Sequence, residues 1–312
     1  MKILITGGSG FIGSNLIHEL IHTHEIVNLD KLTYAGNPNN LKDIENDKNY
    51  TFIKGDICDR PTVKKAMKDC DTVLHLAAES HVDRSIDNPD TFIKTNVLGT
   101  NVVLDCARQS NIEKFIYMST DEVYGTIMEG FASEDTPFNP SSPYSASKAA
   151  ADGIAKSYFK TYGLPVVIAR PSNNYGPYQH PEKLIPKCII NLLRNKKIPI
   201  YGDGKASRDW IYVKDTCDAI KFLMDFGKVG EAYNVSANCE LRNIDVIQVL
   251  LSIMGKNPTN NIKYVEDRLG HDYRYAIHAT KLRSLKWEPE TSFFILLSKT
   301  VDWYRNNAKW WN

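Results

Sequence analysis

The chain has 312 residues, of which 42% are hydrophobic and 24% charged; Lys+Arg 38 against Asp+Glu 37 leaves a net charge of +1. That length implies two domains, or one large domain with an appendage, and a core that needs no disulfide or metal to hold it. The balanced charge excludes a bulk field for nucleic acid or an anionic membrane, and the apolar content excludes intrinsic disorder.

Cys58, Cys70, Cys106, Cys188, Cys217 and Cys239 stand singly, with no CxxC pair and no Cys/His cluster at metal spacing. They read as reduced thiols of a cytoplasmic protein with no metal site. No run reaches the roughly 18 apolar residues of a membrane span, and the chain opens directly on KILIT, so no membrane segment or leader is expected.

Taken in order, residues 2–6 (KILIT) predict a buried strand that runs into Gly7-Gly8-Ser9-Gly10-Phe11-Ile12-Gly13 and then a helix over 12–22. Glycines there permit a left-handed turn, close approach of the backbone to a pyrophosphate and tight packing of helix on strand. The helix N-terminus adds unpaired N–H groups and the positive end of the helix dipole. A second strand, 25–30 (EIVNLD), ends in Asp30, seventeen positions after Gly13. A carboxylate there suits ribose hydroxyls and repels a 2′-phosphate, which favours NAD over NADP. A third buried strand, 51–54, leads to Asp56-Ile57, placed to reach an adenine edge.

A helix over 61–68 and strands 72–76 and 114–119 bracket a long helix predicted at 91–109. Strand 114–119 ends in Ser119-Thr120-Asp121-Glu122-Val123-Tyr124-Gly125. Open parallel sheets bind ligands at the carboxyl ends of their strands, where two adjacent acids are costly to desolvate unless used. Ser142 can cap a helix over 144–162 that opens Tyr144-Ser-Ala-Ser-Lys148, placing the phenol and the ammonium at i, i+4 on one face. The ammonium is expected to lower the phenol's pKa toward neutrality. Strand 165–170 follows. Strand–helix alternation of this kind predicts a Rossmann-type α/β fold with a doubly wound parallel sheet.

After Arg170 the rhythm breaks at a series of prolines. Residues 1–170 are expected to form the cofactor-binding domain, with helix 213–226 and strand 232–235 returning to it. Residues 171–212 and 237–312 are expected to form a smaller mixed α/β domain for the substrate.

The motifs GGSGFIG, STDEVYG and YSASK, with LDKLTYAGN (29–37), AAESHVDRS (77–85), RPSNNYGPYQHPEKLIP (170–186), PIYGDGKASRDWIYV (199–213) and RLGHDYRYAIH (268–278), cover essentially the whole chain. Together they resemble the extended short-chain dehydrogenases/reductases, and within them the nucleotide-sugar dehydratases that act on dTDP-glucose. The resemblance implies a lyase with tightly bound NAD that oxidises the sugar at carbon 4, eliminates water across carbons 5 and 6 and returns hydride to carbon 6. The product is a 4-keto-6-deoxy sugar nucleotide, a precursor in deoxysugar biosynthesis. It implies Tyr144 as base for the 4-hydroxyl, Glu122 as base at carbon 5, Asp121 as acid for the departing 6-hydroxyl, Thr120 as hydrogen-bond donor and Lys148 as holder of the nicotinamide ribose.

By the same matching, Gly7, Gly10, Phe11, Ile12, Gly13, Asp30, Lys31, Thr33, Gly36, Asp56, Ile57, Ala77, Thr95 and Asn174 join Tyr144 and Lys148 around the cofactor. Ser80, Thr120, Asn173, Lys183, Leu184, Pro199, Tyr201, Arg208, Asn243, His271 and Tyr275 fall on the sugar nucleotide, with Arg208 at the diphosphate. Leu269, Tyr273 and His278 depart from the family pattern at the nucleotide end. Another nucleotide-sugar dehydratase or a 4-epimerase is the alternative, and Asp121 directly before Glu122 argues against both. A homodimer paired through helices 91–109 and 144–162 is also implied.

Overall fold

The computed structural model describes residues 1–267, 272–290 and 292–311. Among them the strands are β1 (Lys2–Thr6), β2 (Glu25–Asp30), β3 (Tyr50–Lys54), β4 (Thr72–His75), β5 (Lys114–Met118), β6 (Val166–Pro171), β7 (Asn173–Tyr175), β8 (Ile198–Tyr201), β9 (Ser207–Tyr212), β10 (Ala232–Val235), β11 (Glu240–Arg242) and β12 (Ile262–Val265). Seven form one parallel sheet in the order β10-β6-β5-β4-β1-β2-β3. The chain direction across the sheet reverses between β1 and β4, the switch point at which doubly wound sheets open a crevice.

The period-two alternation of β1 assigns its side chains to two cores. Ile3 and Ile5 pack with Leu16, Ile17 and Ile220 on one face, while Leu4 packs with Val103, Ala151 and Ala155 on the other. A third core gathers Ile189, Ile198, Trp210, Val246, Leu297 and Tyr304 around the smaller sheets β11-β9-β7 and β12-β8. Helix Val213–Phe226 packs on the large sheet and β10 forms one of its edges, and Ala279, Leu282 and Trp287 join the first core as well.

Two expectations are corrected. Strand β3 is not buried: its residues are exposed or half-buried because it is the outermost strand, with β2 on one side and no strand on the other. The single helix predicted at 91–109 is three pieces, Pro89–Phe92, a π-helical stretch Ile93–Gly99 and Thr100–Arg108. Side-chain periodicity does not report an i→i+5 winding, which is rare and recurs near functional sites.

Helix Pro143–Tyr162 begins as its sequence dictates. The Ser142 hydroxyl accepts from the Ser145 N–H at 3.1 Å, and Ser145 Oγ accepts from the Ser142 N–H at 3.0 Å. Gly163, left-handed at φ +69°, ends it. One turn beyond Lys148, Asp152 makes a fully buried two-pronged ion pair with Arg170 of β6, at 2.9 and 3.0 Å. The same guanidinium donates to the Tyr124 hydroxyl at 2.7 Å and to the Glu134 carbonyl at 3.0 Å. Removing one partner of a buried pair leaves an uncompensated charge. Asp152→Ala is therefore expected to lower the unfolding free energy by about 3–5 kcal/mol, read from the denaturant midpoint.

Candidate active site

The turn after β1 is tight enough to require glycine at two positions. Gly7 has φ +72°, and a Cβ on Gly13 would lie 2.4 Å from the Gly7 carbonyl oxygen. Helix Phe11–Leu20 starts at Gly10 with no side-chain cap, and its first residues, Phe11, Ile12 and Gly13, line the crevice. Asp30, at the end of β2, accepts from the Ser9 N–H at 3.0 Å and the Leu32 N–H at 2.7 Å. Burial lifts its carboxyl above the usual range against those two donors. Lys31 pairs with Asp56 at 2.8 Å across the same rim.

One cavity runs along the carboxyl ends of the strands. Gly7, Gly10, Phe11, Ile12, Gly13, Asp30, Lys31, Thr33, Gly36, Asp56, Ile57, Ala77, Thr95, Asn174, Tyr144 and Lys148 all line it. So do Thr120, Asp121, Glu122, Ser80, Asn173 and Lys183. Leu184 follows Lys183 as the first residue of helix Leu184–Leu193. Pro199 and Tyr201 lie on β8, Arg208 on β9, and Asn243 begins helix Asn243–Ile253. These sit on or beside the smaller sheets, outside the cavity lining. Tyr275 bridges the two regions, its hydroxyl 3.3 Å from Glu122 Oε2 and 2.7 Å from Asp272 Oδ2. His271 and Leu269 lie outside the described residues.

Arg208 is almost fully buried. It donates to the carbonyls of Ser207 at 2.7 Å and Asp272 at 2.9 Å, and stacks 4.2 Å over the Tyr275 ring. Residues that motif reading passed over also line the cavity: Ser119 and Ser172 just beyond β5 and β6, with Glu79, Gln179 and Glu182. Their position at strand ends is the signal that could have found the two serines. Asn96, on the π-helical stretch, was invisible to sequence; it donates to the Glu79 carbonyl at 3.0 Å and to Ser147 Oγ at 2.8 Å.

The cavity suits a polar dinucleotide. Ser119 Oγ, Ser172 Oγ, Asn174 Oδ1, Gln179 Oε1 and Asp121 Oδ2 are buried there without a hydrogen-bond partner, groups that a polar ligand would satisfy. With the uncapped helix N-terminus and Asp30 at the end of β2, they fit NAD. Among the described residues no cluster of His, Cys, Asp and Glu could hold a metal ion.

Electrostatics divide the catalytic candidates. Burial, and then the charges of Glu122 and Asp209, push the Asp121 carboxyl well above its usual range, with Arg208 and Thr120 opposing. The expectation that Lys148 lowers the Tyr144 phenol is corrected. Burial, then Glu122, raise Tyr144 above its ordinary value. The Lys148 ammonium instead donates to the Met118 carbonyl at 2.5 Å and lies 4.6 Å over the Tyr117 ring. Burial pushes Lys148 down to about 7, against the pull of Asp152.

A doubly wound sheet with a tyrosine and lysine one helical turn apart, facing a glycine-loop crevice, defines a short-chain dehydrogenase/reductase. More narrowly, the chain belongs to the nucleotide-sugar dehydratase family, whose model, described as GDP-mannose 4,6 dehydratase, matches residues 4–300. A probable dTDP-glucose 4,6-dehydratase of Sinorhizobium fredii is 49% identical over 100% of this chain and 95% of its own. The solved dTDP-glucose 4,6-dehydratase DesIV of Streptomyces venezuelae, with NAD bound, is 43% identical at a TM-score of 0.98, covering 100% of this chain and 99% of its own. A Thermus thermophilus UDP-glucose 4-epimerase in complex with NAD is 31% identical at a TM-score of 0.91, covering 98% of this chain and 100% of its own.

The lowered pKa of Lys148 sets a sign for stability. Between about 7 and the ordinary lysine value of 10.5, the unfolded chain holds more protons at this site, so stability rises with pH there. Below that window the charged side chain is buried at full cost. Lys148→Met is expected to be more stable than the wild type at pH 7, with the gap closing by up to about 1.4 kcal/mol per pH unit toward pH 9. Denaturant midpoints at pH 7, 8 and 9 check this, and a constant gap refutes it.

Proposed function

We propose that this chain dehydrates dTDP-glucose to dTDP-4-keto-6-deoxy-glucose on bound NAD. The observation that carries the reading is Asp121 beside Glu122 at the end of β5, in one cavity with Tyr144 and Lys148. Two adjacent acids, one shifted toward its protonated form by burial, are what an elimination needs and a simple epimerisation does not.

NAD, when bound, would supply the redox chemistry, as hydride acceptor for sugar carbon 4 and hydride donor for carbon 6. Tyr144 takes the proton of the 4-hydroxyl, with the Thr120 hydroxyl donating to that oxygen. Lys148 holds the ribose. The 4-ketone acidifies the proton on carbon 5, which Glu122 removes as Asp121 protonates the 6-hydroxyl leaving as water. Glu122 thus ends protonated and Asp121 ionised. As carbon 6 receives hydride Glu122 gives its proton back to carbon 5, and transfer of the proton that Tyr144 took from the 4-hydroxyl, relayed through solvent, makes good the one Asp121 lost with the water. Ser80, Asn173, Lys183, Leu184, Pro199, Tyr201, Arg208, Asn243, His271 and Tyr275 would hold the sugar nucleotide, with the remaining cavity residues on NAD.

Among the described residues no helix is long and apolar enough to cross a membrane. All six cysteines are unpaired, which supports a reducing, cytoplasmic setting. Ile93, Leu98 and Tyr162, exposed on the helices expected to pair, support a homodimer.

The test is incubation with NAD and dTDP-glucose, followed by the alkali-induced absorbance of a 4-keto-6-deoxy product. Turnover with another nucleotide sugar alone would overturn the substrate, and a product that keeps its 6-hydroxyl would assign a 4-epimerase. Asp121→Asn is expected to slow elimination about 10²–10⁴-fold while sparing the first oxidation, so that enzyme-bound NADH builds up at 340 nm. Tyr144→Phe is expected to block that oxidation; NADH formation near the wild-type rate would remove Tyr144 as the base.

A further inference from the structure

The described chain ends in a short helix, Ala308–Trp311, that reaches back to the first strand–helix turn. Trp310 donates its indole N–H to Asn40 Oδ1 at 2.6 Å. Asn40, buried to 1% exposure, donates its own amide to the Ser9 carbonyl at 3.0 Å. Ser9 sits between Gly8 and Gly10 in the glycine loop, and that same carbonyl accepts from the Asn37 N–H at 3.0 Å.

An indole can only donate, whereas an asparagine amide presents an acceptor on one side and a donor on the other. The indole and the Ser9 carbonyl therefore select the same facing of Asn40, Oδ1 toward Trp310 and Nδ2 toward Ser9. Without the indole the buried Oδ1 loses its donor, and only the Ser9 contact still holds the amide in place. The indole is itself fixed by rings, with Trp303 at 5.1 Å and Tyr304 and Tyr178 at 6.2 Å from its centroid.

We infer that Trp310 is a positioning residue for the dinucleotide loop: it orients Asn40, which holds the Ser9 carbonyl and so sets the loop that receives the diphosphate. The inference rests on the reading of the cleft as an NAD site. Loss of one neutral hydrogen bond changes an equilibrium by about three- to tenfold, which is the expected scale of the effect.

The experiment measures how fast NAD bound to the purified protein exchanges with excess labelled NAD. Trp310→Phe keeps the ring in its aromatic cluster and removes the donor; it is expected to speed exchange about three- to tenfold. Turnover at saturating NAD is expected to stay at the wild-type value, and the melting temperature at saturating NAD to fall by no more than the roughly three- to tenfold weaker hold on NAD accounts for, whereas a general loosening of the C-terminus would lower it further. Asn40→Asp still accepts from the indole but cannot donate to Ser9, so it is expected to exchange at least as fast. The double variant is expected to exchange no faster than Asn40→Asp alone, because both act through one contact. Trp310→Phe within twofold of wild type, or effects that multiply in the double variant, overturns the inference while leaving the NAD site standing. A wild-type protein that holds no NAD overturns both.

Discussion

Three elements that carry chemistry meet at one buried ion pair. Arg170 belongs to β6, Asp152 to the helix of Tyr144 and Lys148, and Tyr124, which receives a bond from the same guanidinium, follows two residues after Glu122. Tyr124 in turn donates its hydroxyl to Asn234 Oδ1 of β10 at 2.8 Å. The phenol and ammonium come from one helix and the two carboxyls from the turn after β5, and this cluster of charge ties the two segments together. Neither partner is exposed, so the geometry is held by desolvated contacts that allow little drift.

The polarity of the cleft follows from the same exclusion of water. Burial raises Asp121 and Tyr144 and lowers Lys148, so each group is moved toward its neutral form. A site of near-neutral groups is readily charged by a proton shifted over a short distance. That suits chemistry in which a base and an acid trade roles within one turnover, since neither must first strip off a hydration shell. Net charge near zero over the whole chain is compatible with this, because the field that matters is made by a few groups in a dry crevice.

Much of this was legible from residue patterns. Strand–helix alternation, the glycines after KILIT and the Ser142-capped helix are local signals, and local signals survive in one dimension. The edge position of β3 was not legible, because apolar letters in Thr51–Ile53 look alike whether one or both sides of a strand are covered. The partner of Lys148 was missed for a related reason. Spacing of i, i+4 places the ammonium on the tyrosine's face, yet the Met118 carbonyl and the Tyr117 ring, thirty residues earlier, draw it elsewhere. Asn96 and Asn40 belong to no motif of charge or spacing, and only tertiary contacts give them a role.

The π-helical stretch Ile93–Gly99 has a bearing on how this architecture can vary. Its wider winding shifts the angular phase of everything after it relative to everything before it. Phe92 can thereby stand edge-on to Tyr144, with ring centroids 6.3 Å apart, while Val103 and Ala107 on the continuing helix still face the sheet. A lost or gained residue anywhere between those two anchors would rotate one set of side chains off its target. Indels in this segment should be rare among working descendants of this chain.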